Sequence, residues 1–67
     1  MTDIEIGKNL RKARKKSNLT QVQLAEKSGI NVNYYARIER GEVDASLNTL
    51  KTILKILKVK SSEVFPF

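Results

Sequence analysis

The sequence predicts an all-α domain, on the basis of the spacing of its apolar residues and the placement of its glycines. In successive segments the apolar residues recur three and four positions apart, which is the pattern of an amphipathic helix. No segment alternates apolar and polar residues with the period of two that a half-buried strand requires. Gly29 and Gly41 stand where two of the helical patterns end. We therefore expect five short helices, packed as one compact bundle in which residues 1–67 form a single domain.

The first predicted helix runs from about Asp3 to Ser17 and is followed by a break at Asn18. Thr2 or Asp3 can cap its first turn. Its buried side is predicted to consist of Ile6, Leu10 and Ala13. Most of its other residues are Lys or Arg.

Two more helices are predicted over about residues 20–40, hinged at Gly29. Thr20 and Gln23 have the spacing of a capping box, so the second helix should begin at Thr20. Asn31 can cap a third helix that runs to Arg40. The inward-facing residues of this pair are predicted to be Leu24, Ala25, Tyr35 and Ile38. Two short helices joined by a tight glycine turn form the unit that places a helix in the DNA major groove.

A fourth helix is predicted from Ser46, its N-cap, and a fifth from Ser61 to Phe65, with Ser61 or Ser62 as its cap. The fourth has the strongest apolar periodicity, carried by Leu47, Leu50, Ile53, Leu54 and Leu57. We expect Tyr35 and Phe65 to supply the aromatic part of the core.

The charge balance suggests a polyanionic partner. The chain has 13 Lys and Arg against 7 Asp and Glu, a net charge of +6. Six of the cations lie between Lys8 and Lys16 with no acid among them, a cluster that fits either contact with a polyanion or a solvated helix face. The absence of Cys removes a thiol nucleophile and cysteine metal sites, and the absence of His removes the commonest general base and the commonest metal ligand. With no apolar run that could span a bilayer, we expect a cytoplasmic protein without a membrane partner, metal or other cofactor.

A set of residues spread over most of the chain resembles the lambda-repressor-like helix-turn-helix family, which includes phage repressors, Cro proteins and restriction-modification controller proteins. The set comprises Leu10-Arg11, Arg14, Leu19-Thr20-Gln21, Leu24-Ala25, Gly29, Ile38-Glu39-Arg40-Gly41, Ser46-Leu47 and Leu50. The resemblance implies a sequence-specific regulator of transcription that binds double-stranded DNA. It also implies an ion pair between Arg14 and Glu39.

The resemblance implies that the outward face of the third helix reads bases through Val32, Asn33, Ala36 and Arg37. Arg37 can pair with guanine and Asn33 with adenine, while Val32 suits a thymine methyl group. Many relatives hold a polar or basic residue at the position of Val32, which makes an operator sequence less transferable to this chain from any relative.

The resemblance also implies phosphate contacts by Arg11, Gln21, Asn31, Tyr34 and Arg40. Gln21 has a second interpretation, in which it only caps its helix.

We expect a homodimer on a roughly palindromic operator, because one small headpiece makes few DNA contacts. The predicted dimer interface is Leu57, Val59, Val64 and Phe65. No small-molecule ligand is expected. An antitoxin-type or other protein-interaction module that also binds DNA is the main alternative, and RNA binding stays open. The scattered carboxylates argue against an enzyme.

Overall fold

Four α-helices and a final 3₁₀ turn make up residues 4–66, which are the residues described by this computed structural model. The elements are α1 (Ile4–Lys16), α2 (Gln21–Ser28), α3 (Val32–Glu39), α4 (Leu47–Leu57) and the 3₁₀ turn Ser61–Glu63. The all-α prediction is confirmed for these residues. The predicted cap of α1, Thr2 or Asp3, lies outside them.

The prediction of a fifth α-helix is wrong. The segment closes a single 3₁₀ turn, in which the Lys60 backbone N–H donates to Glu63 Oε2 at 2.8 Å. Lys60, rather than Ser61 or Ser62, occupies the N-cap position. Pro66 follows within a few residues, and a helix ends before proline because that residue has no N–H to donate. The segment is also too short to build a continuous apolar stripe.

The predicted starts of α2, α3 and α4 are confirmed by their caps. The Thr20 hydroxyl accepts from Gln23 N–H at 3.1 Å, and the Gln23 side chain accepts from Thr20 N–H at 2.9 Å. Asn31 Oδ1 accepts from Asn33 N–H at 2.7 Å, and the Ser46 hydroxyl accepts from Thr49 N–H at 3.1 Å. These hydrogen bonds satisfy donors that the first turn of a helix otherwise leaves without partners.

The core lies where α3 packs on α1 and α2, and where α2 packs on α4. Its largest fully buried side chains are Tyr35, Ile6, Leu10, Leu24, Ile38, Ile53 and Val64. Phe65 packs against this cluster but is only partly buried, so the expectation that it fills the core is wrong. The preceding residue, Val64, occupies that place with no exposed surface.

Gly7 permits a close approach between α1 and the end of α3. A Cβ atom at this position would lie 2.7 Å from the carbonyl oxygen of Ile38 and would clash with that of Glu39. Any side chain at this position would therefore push α1 away from the backbone that ends α3.

Among residues 4–66 no helix is both long enough and apolar enough to cross a membrane.

Candidate nucleic-acid interface

Gly29 makes the turn between α2 and α3. It adopts a φ of +70°, a left-handed conformation that side chains rarely take, and its N–H donates to the last turn of α2. Ile30 N–H donates to Ala25 carbonyl at 3.0 Å, which completes the cap. Ala25 is buried, so α2 presents only a methyl group at this point. The chain thus turns within three residues from α2 into α3.

The outward side of α3 carries the four residues predicted to read bases. Asn33 and Arg37 are exposed, whereas Val32 and Ala36 are half-buried. Tyr35, Ile38 and Glu39 form the buried side of the same helix. The four residues therefore share one surface of α3, with two long polar side chains directed away from the core.

Asn31 and Tyr34 lie at the start of α3. The Oδ1 atom of Asn31 is occupied by its capping hydrogen bonds, and its side-chain N–H₂ group is left for other acceptors. Tyr34 is half-buried and packs against the core.

A basic groove runs along the start of α2. Its lining residues come from the end of α1, the start of α2 and the end of α3, and they are Arg11, Arg14, Lys15, Asn18, Leu19, Thr20, Gln21, Val22, Glu39 and Arg40. Arg11, Lys15 and Arg40 are exposed along it. The first backbone N–H groups of a helix point out of its end, so the groove combines fixed cations with free donors.

The cations of α1 divide between different surfaces. Arg11 and Lys15 line the basic groove, whereas Lys8, Lys12 and Lys16 line shallow grooves on another side of the helix. Sequence reasoning treated all six as one cluster. The split follows from the helical repeat, because positions four apart share a face and neighbouring positions do not.

A buried polar cluster joins the three helices behind the basic groove. Arg14 Nε donates to Glu39 Oε2 at 2.7 Å, and Gln21 Nε2 donates to Glu39 Oε1 at 2.9 Å. Arg14 also donates to the backbone carbonyl of Leu19 at 2.8 Å. Glu39 therefore receives a guanidinium from α1 and an amide from α2. We call Arg14, Gln21 and Glu39 the carboxylate cluster.

The cluster fixes the charge state of Glu39. Burial alone raises the pKa of this carboxyl, but hydrogen bonding, foremost from Arg14, outweighs it and holds the pKa below its ordinary value. The Tyr35 hydroxyl lies beside the same carboxylate, at a geometry outside the limits of a hydrogen bond. Burial raises the pKa of Tyr35 well above its ordinary value, so this hydroxyl stays protonated. Tyr35 has no exposed area, so its hydroxyl lies inside the protein beside a polar neighbour, Glu39.

Gln21 neither caps its helix with its side chain nor points freely into solvent. Thr20 provides the cap, and the Gln21 amide donates to Glu39. An amide carries two N–H donors, so one of them is left for a phosphate oxygen.

Glu42 forms exposed ion pairs with two cations at the end of α3. Its carboxylate accepts from Arg40 at 2.8 Å and lies 3.7 Å from Arg37 Nε. The hydrogen bond from Arg40 is the main reason that the pKa of Glu42 falls below its ordinary value. Sequence reasoning counted Glu42 only among the scattered carboxylates. Its spacing from Arg40, two residues across a helix end, is the signal that could have indicated the pair.

The four residues predicted to form the dimer interface have different exposures. Val64 and Leu57 are 0% and 4% exposed and belong to the core of the protomer. Val59 and Phe65 are half-buried and so present apolar surface.

Within residues 4–66, no three acidic, Cys or His side chains lie close enough together to hold a metal ion.

Comparison with known proteins identifies the family. A helix-turn-helix family model matches residues 10–64. The chain is 39% identical over 59 residues to an immunity repressor protein of Bacillus phage phi105, and 40% identical over 52 residues to the control protein C.SmaI of Serratia marcescens. These alignments include 88% and 78% of this chain but 41% and 62% of the two relatives, so the chain spans less than two thirds of the length of each.

The fold has a close counterpart among solved structures. The restriction-modification controller protein C.AhdI from Aeromonas hydrophila superposes with a TM-score of 0.88 at 31% sequence identity, over 92% of this chain and 94% of that one. The match of the family model over most of the chain agrees with this superposition. The chain belongs to the Cro/C1-type helix-turn-helix family of DNA-binding transcription regulators.

Proposed function

We propose that this protein is a sequence-specific transcription regulator that binds a roughly palindromic DNA operator as a homodimer, with α3 in the major groove. The observation that carries the proposal is the exposed pair Asn33 and Arg37 on α3, next to the basic groove at the start of α2. Such a surface matches a duplex, because the bases are read in the groove while the flanking phosphates are held by cations and helix ends.

Base reading falls to the outward side of α3. The Arg37 guanidinium suits O6 and N7 of guanine, and the Asn33 amide suits N6 and N7 of adenine. Val32 offers methyl groups to a thymine methyl, and Ala36 permits a close approach of the helix to the bases.

Phosphate binding falls to the basic groove and the flanking helix ends. Arg11 and Arg40 supply charge, and the exposed Lys15 joins them because it lines the same groove. Gln21 contributes its backbone N–H and one N–H of its side-chain amide. The other amide N–H donates to Glu39. Asn31 and Tyr34 extend the contacts to the start of α3.

A homodimer fits the dimensions of the protomer. Recognition helices in successive major grooves lie about 34 Å apart, so each sits about 17 Å from the symmetry axis. The longest dimension of the protomer is 27 Å, which allows one end to read DNA while another part reaches the axis. Because Val64 and Leu57 face the core, Val59 and Phe65 would supply the apolar contact. Such a dimer in the cytoplasm would regulate by occupying or flanking a promoter.

Selection of bound duplexes from a random pool tests the proposal and gives the operator, its symmetry and its half-site spacing together. On the selected site, Arg37→Ala should weaken binding by about 1–3 kcal/mol and relax the preference at one base pair. Arg11→Ala should weaken cognate and random duplexes alike and reduce the salt slope by about one.

Lys12→Ala is the matched control for Arg11→Ala, since it removes one charge from the same helix on a different side. It should change the salt slope less than Arg11→Ala does. Equal losses on cognate and random DNA for Arg37→Ala would contradict the base-reading assignment. Equal competition by duplex RNA would contradict major-groove reading, because a helix does not fit the deep groove of A-form RNA.

A further inference from the structure

A second groove lies away from α3, where the end of α1 meets the last turns of α2 and α4. It is lined by Ser17, Leu19, Lys27, Lys55, Ile56, Leu57 and Lys58, and we call it the lysine groove. No residue of α3 contributes to it, and Leu19 is the one residue that it shares with the lining of the basic groove. It is therefore a surface that the proposed DNA contact leaves uncovered.

Three lysines from two helices surround the lysine groove without an acidic partner. Lys27 lies in the last turn of α2, Lys55 in the last turn of α4, and Lys58 at the C-cap of α4. All three are exposed, no carboxylate lines the groove, and none of them has an ion pair with another described residue. Helix C-termini favour nearby cations, which explains why the fold tolerates these lysines there, but the partial charge of a helix end does not neutralise three ammonium groups.

The floor of the lysine groove is apolar. Leu19 and Ile56 are half-buried, so part of each side chain faces outward between the lysines, and Leu57 closes the base at 4% exposure. A phosphate chain would satisfy the lysines but would leave this floor in water. A ligand that carries both carboxylates and an apolar side chain would satisfy both parts of the surface.

We propose that the lysine groove docks an acidic peptide segment of a partner protein, with one large apolar side chain of that segment lying on Leu19 and Ile56. A second copy that pairs through the same groove is a poor occupant, because two-fold symmetry would set the three lysines of one copy against the three of the other. The complementary charge defines the partner class, and the apolar floor adds a requirement that charge alone does not impose. This role goes beyond DNA binding and needs no DNA.

The test uses the full chain, labelled with ¹⁵N and free of DNA, and a short synthetic peptide of Asp, Glu and Ser with one central Leu. Amide shifts should move at residues 19, 27 and 55–58, while those of Asn33 and Arg37 stay in place. The same peptide with serine in place of leucine should bind about tenfold more weakly, because the apolar contact is lost.

Charge reversal separates the lysine groove from the general basicity of the chain. The double variant Lys55→Glu/Lys58→Glu should weaken the leucine peptide about tenfold. Lys8→Glu/Lys12→Glu makes the same change in net charge on another side of α1 and should weaken it much less. Circular dichroism of both variants should show the helix content of the unmodified chain.

Four outcomes would overturn the proposal. The shifts could map to Arg11, Asn33 or Arg37; the serine peptide could bind as tightly as the leucine peptide; or both charge-reversal variants could lose binding equally. A single-stranded oligothymidylate could also move the same amides as the peptide, which would make the surface a nucleic-acid site. Since no arm uses operator DNA, failure here leaves the proposed function standing.

Discussion

Replacing Arg14 with methionine would test the carboxylate cluster most directly. Methionine has a similar length and no charge, so Arg14→Met removes the guanidinium and leaves the apolar stem. The Glu39 side chain, which is 4% exposed, would keep Gln21 as its remaining hydrogen-bond partner. The backbone carbonyl of Leu19 would lose a donor as well.

The expected loss is a large part of the stability of the domain. Removing one partner of a buried ion pair costs about 3–5 kcal/mol, because the other charge stays buried without compensation. A chain of 67 residues has a total unfolding free energy of about 3–10 kcal/mol at the usual stability per residue. Arg14→Met should therefore lower the urea midpoint sharply. The double variant Arg14→Met/Glu39→Gln should recover part of the loss, since Gln at position 39 carries no charge and still accepts from Gln21.

The pH dependence of the free energy of unfolding gives a second, independent test of the ion pair. In the unmodified chain the folded pKa of Glu39 lies below its unfolded value of 4.5, so the unfolded state binds more protons. This contribution to stability is full above that value and is lost as the pH falls through the folded pKa. Without Arg14, burial should raise the folded pKa above the unfolded one. The contribution of Glu39 should then reverse and weaken the fold as the pH rises through this range.

Urea unfolding followed by circular dichroism, repeated between about pH 2 and pH 7, measures both effects for the three proteins. The other carboxylates are the same in each, so the difference between the single variant and the unmodified chain isolates Glu39. The reasoning would be refuted by a loss below about 1 kcal/mol in Arg14→Met, the range of an exposed pair, together with an unchanged pH slope.

Three further substitutions follow from single contacts. Gly7→Ala should lower the free energy of unfolding by about 1–3 kcal/mol, because its Cβ would lie 2.7 Å from the carbonyl oxygen of Ile38. Urea titration measures this free energy. An unchanged value would mean that α1 can shift freely. Tyr35→Phe should change the same quantity by less than about 1 kcal/mol, because the buried hydroxyl makes no hydrogen bond of good geometry. A loss near that of a core truncation would show that the hydroxyl stabilises Glu39 strongly. Glu42→Gln should strengthen binding to random duplex DNA and steepen the salt slope by about one, because it releases Arg40 from its ion pair. Fluorescence anisotropy across a salt series measures both quantities. A fall in affinity would contradict the prediction.

The helices were predictable because their signals are local. The capping box of Thr20 and Gln23, the cap at Asn31 and the cap at Ser46 each involve residues two or three positions apart. A side chain at such spacing finds its backbone partner in any fold that contains the helix. The apolar face of α4 is likewise defined by its own period. The C-terminal turn has neither a full side-chain cap nor a full apolar period, and there the prediction of an α-helix was wrong.

The contacts that hold the helices together were not predictable by spacing. Gln21 and Glu39 are 18 positions apart, and only the packing of α2 on α3 brings the amide to the carboxylate. Gly7 resembles a weak point in a helix until the carbonyls of α3 are placed against it. The Arg14–Glu39 pair was accessible through the family resemblance, since the two residues lie 25 positions apart on different helices.

The carboxylate cluster bears on specificity as well as stability. Glu39 ends the proposed recognition helix, Gln21 begins the helix whose first turn is proposed to contact a phosphate, and Arg14 lies one turn beyond Arg11 on α1. Apolar side chains in their place would avoid burying charge, and such replacements can stabilise a fold. They would not fix the distance between the base-reading side chains and the phosphate contacts, because packing alone permits small sliding movements that directed hydrogen bonds resist. We infer that the cluster fixes this register, because one carboxylate holds at a set spacing the three helices that are proposed to face DNA.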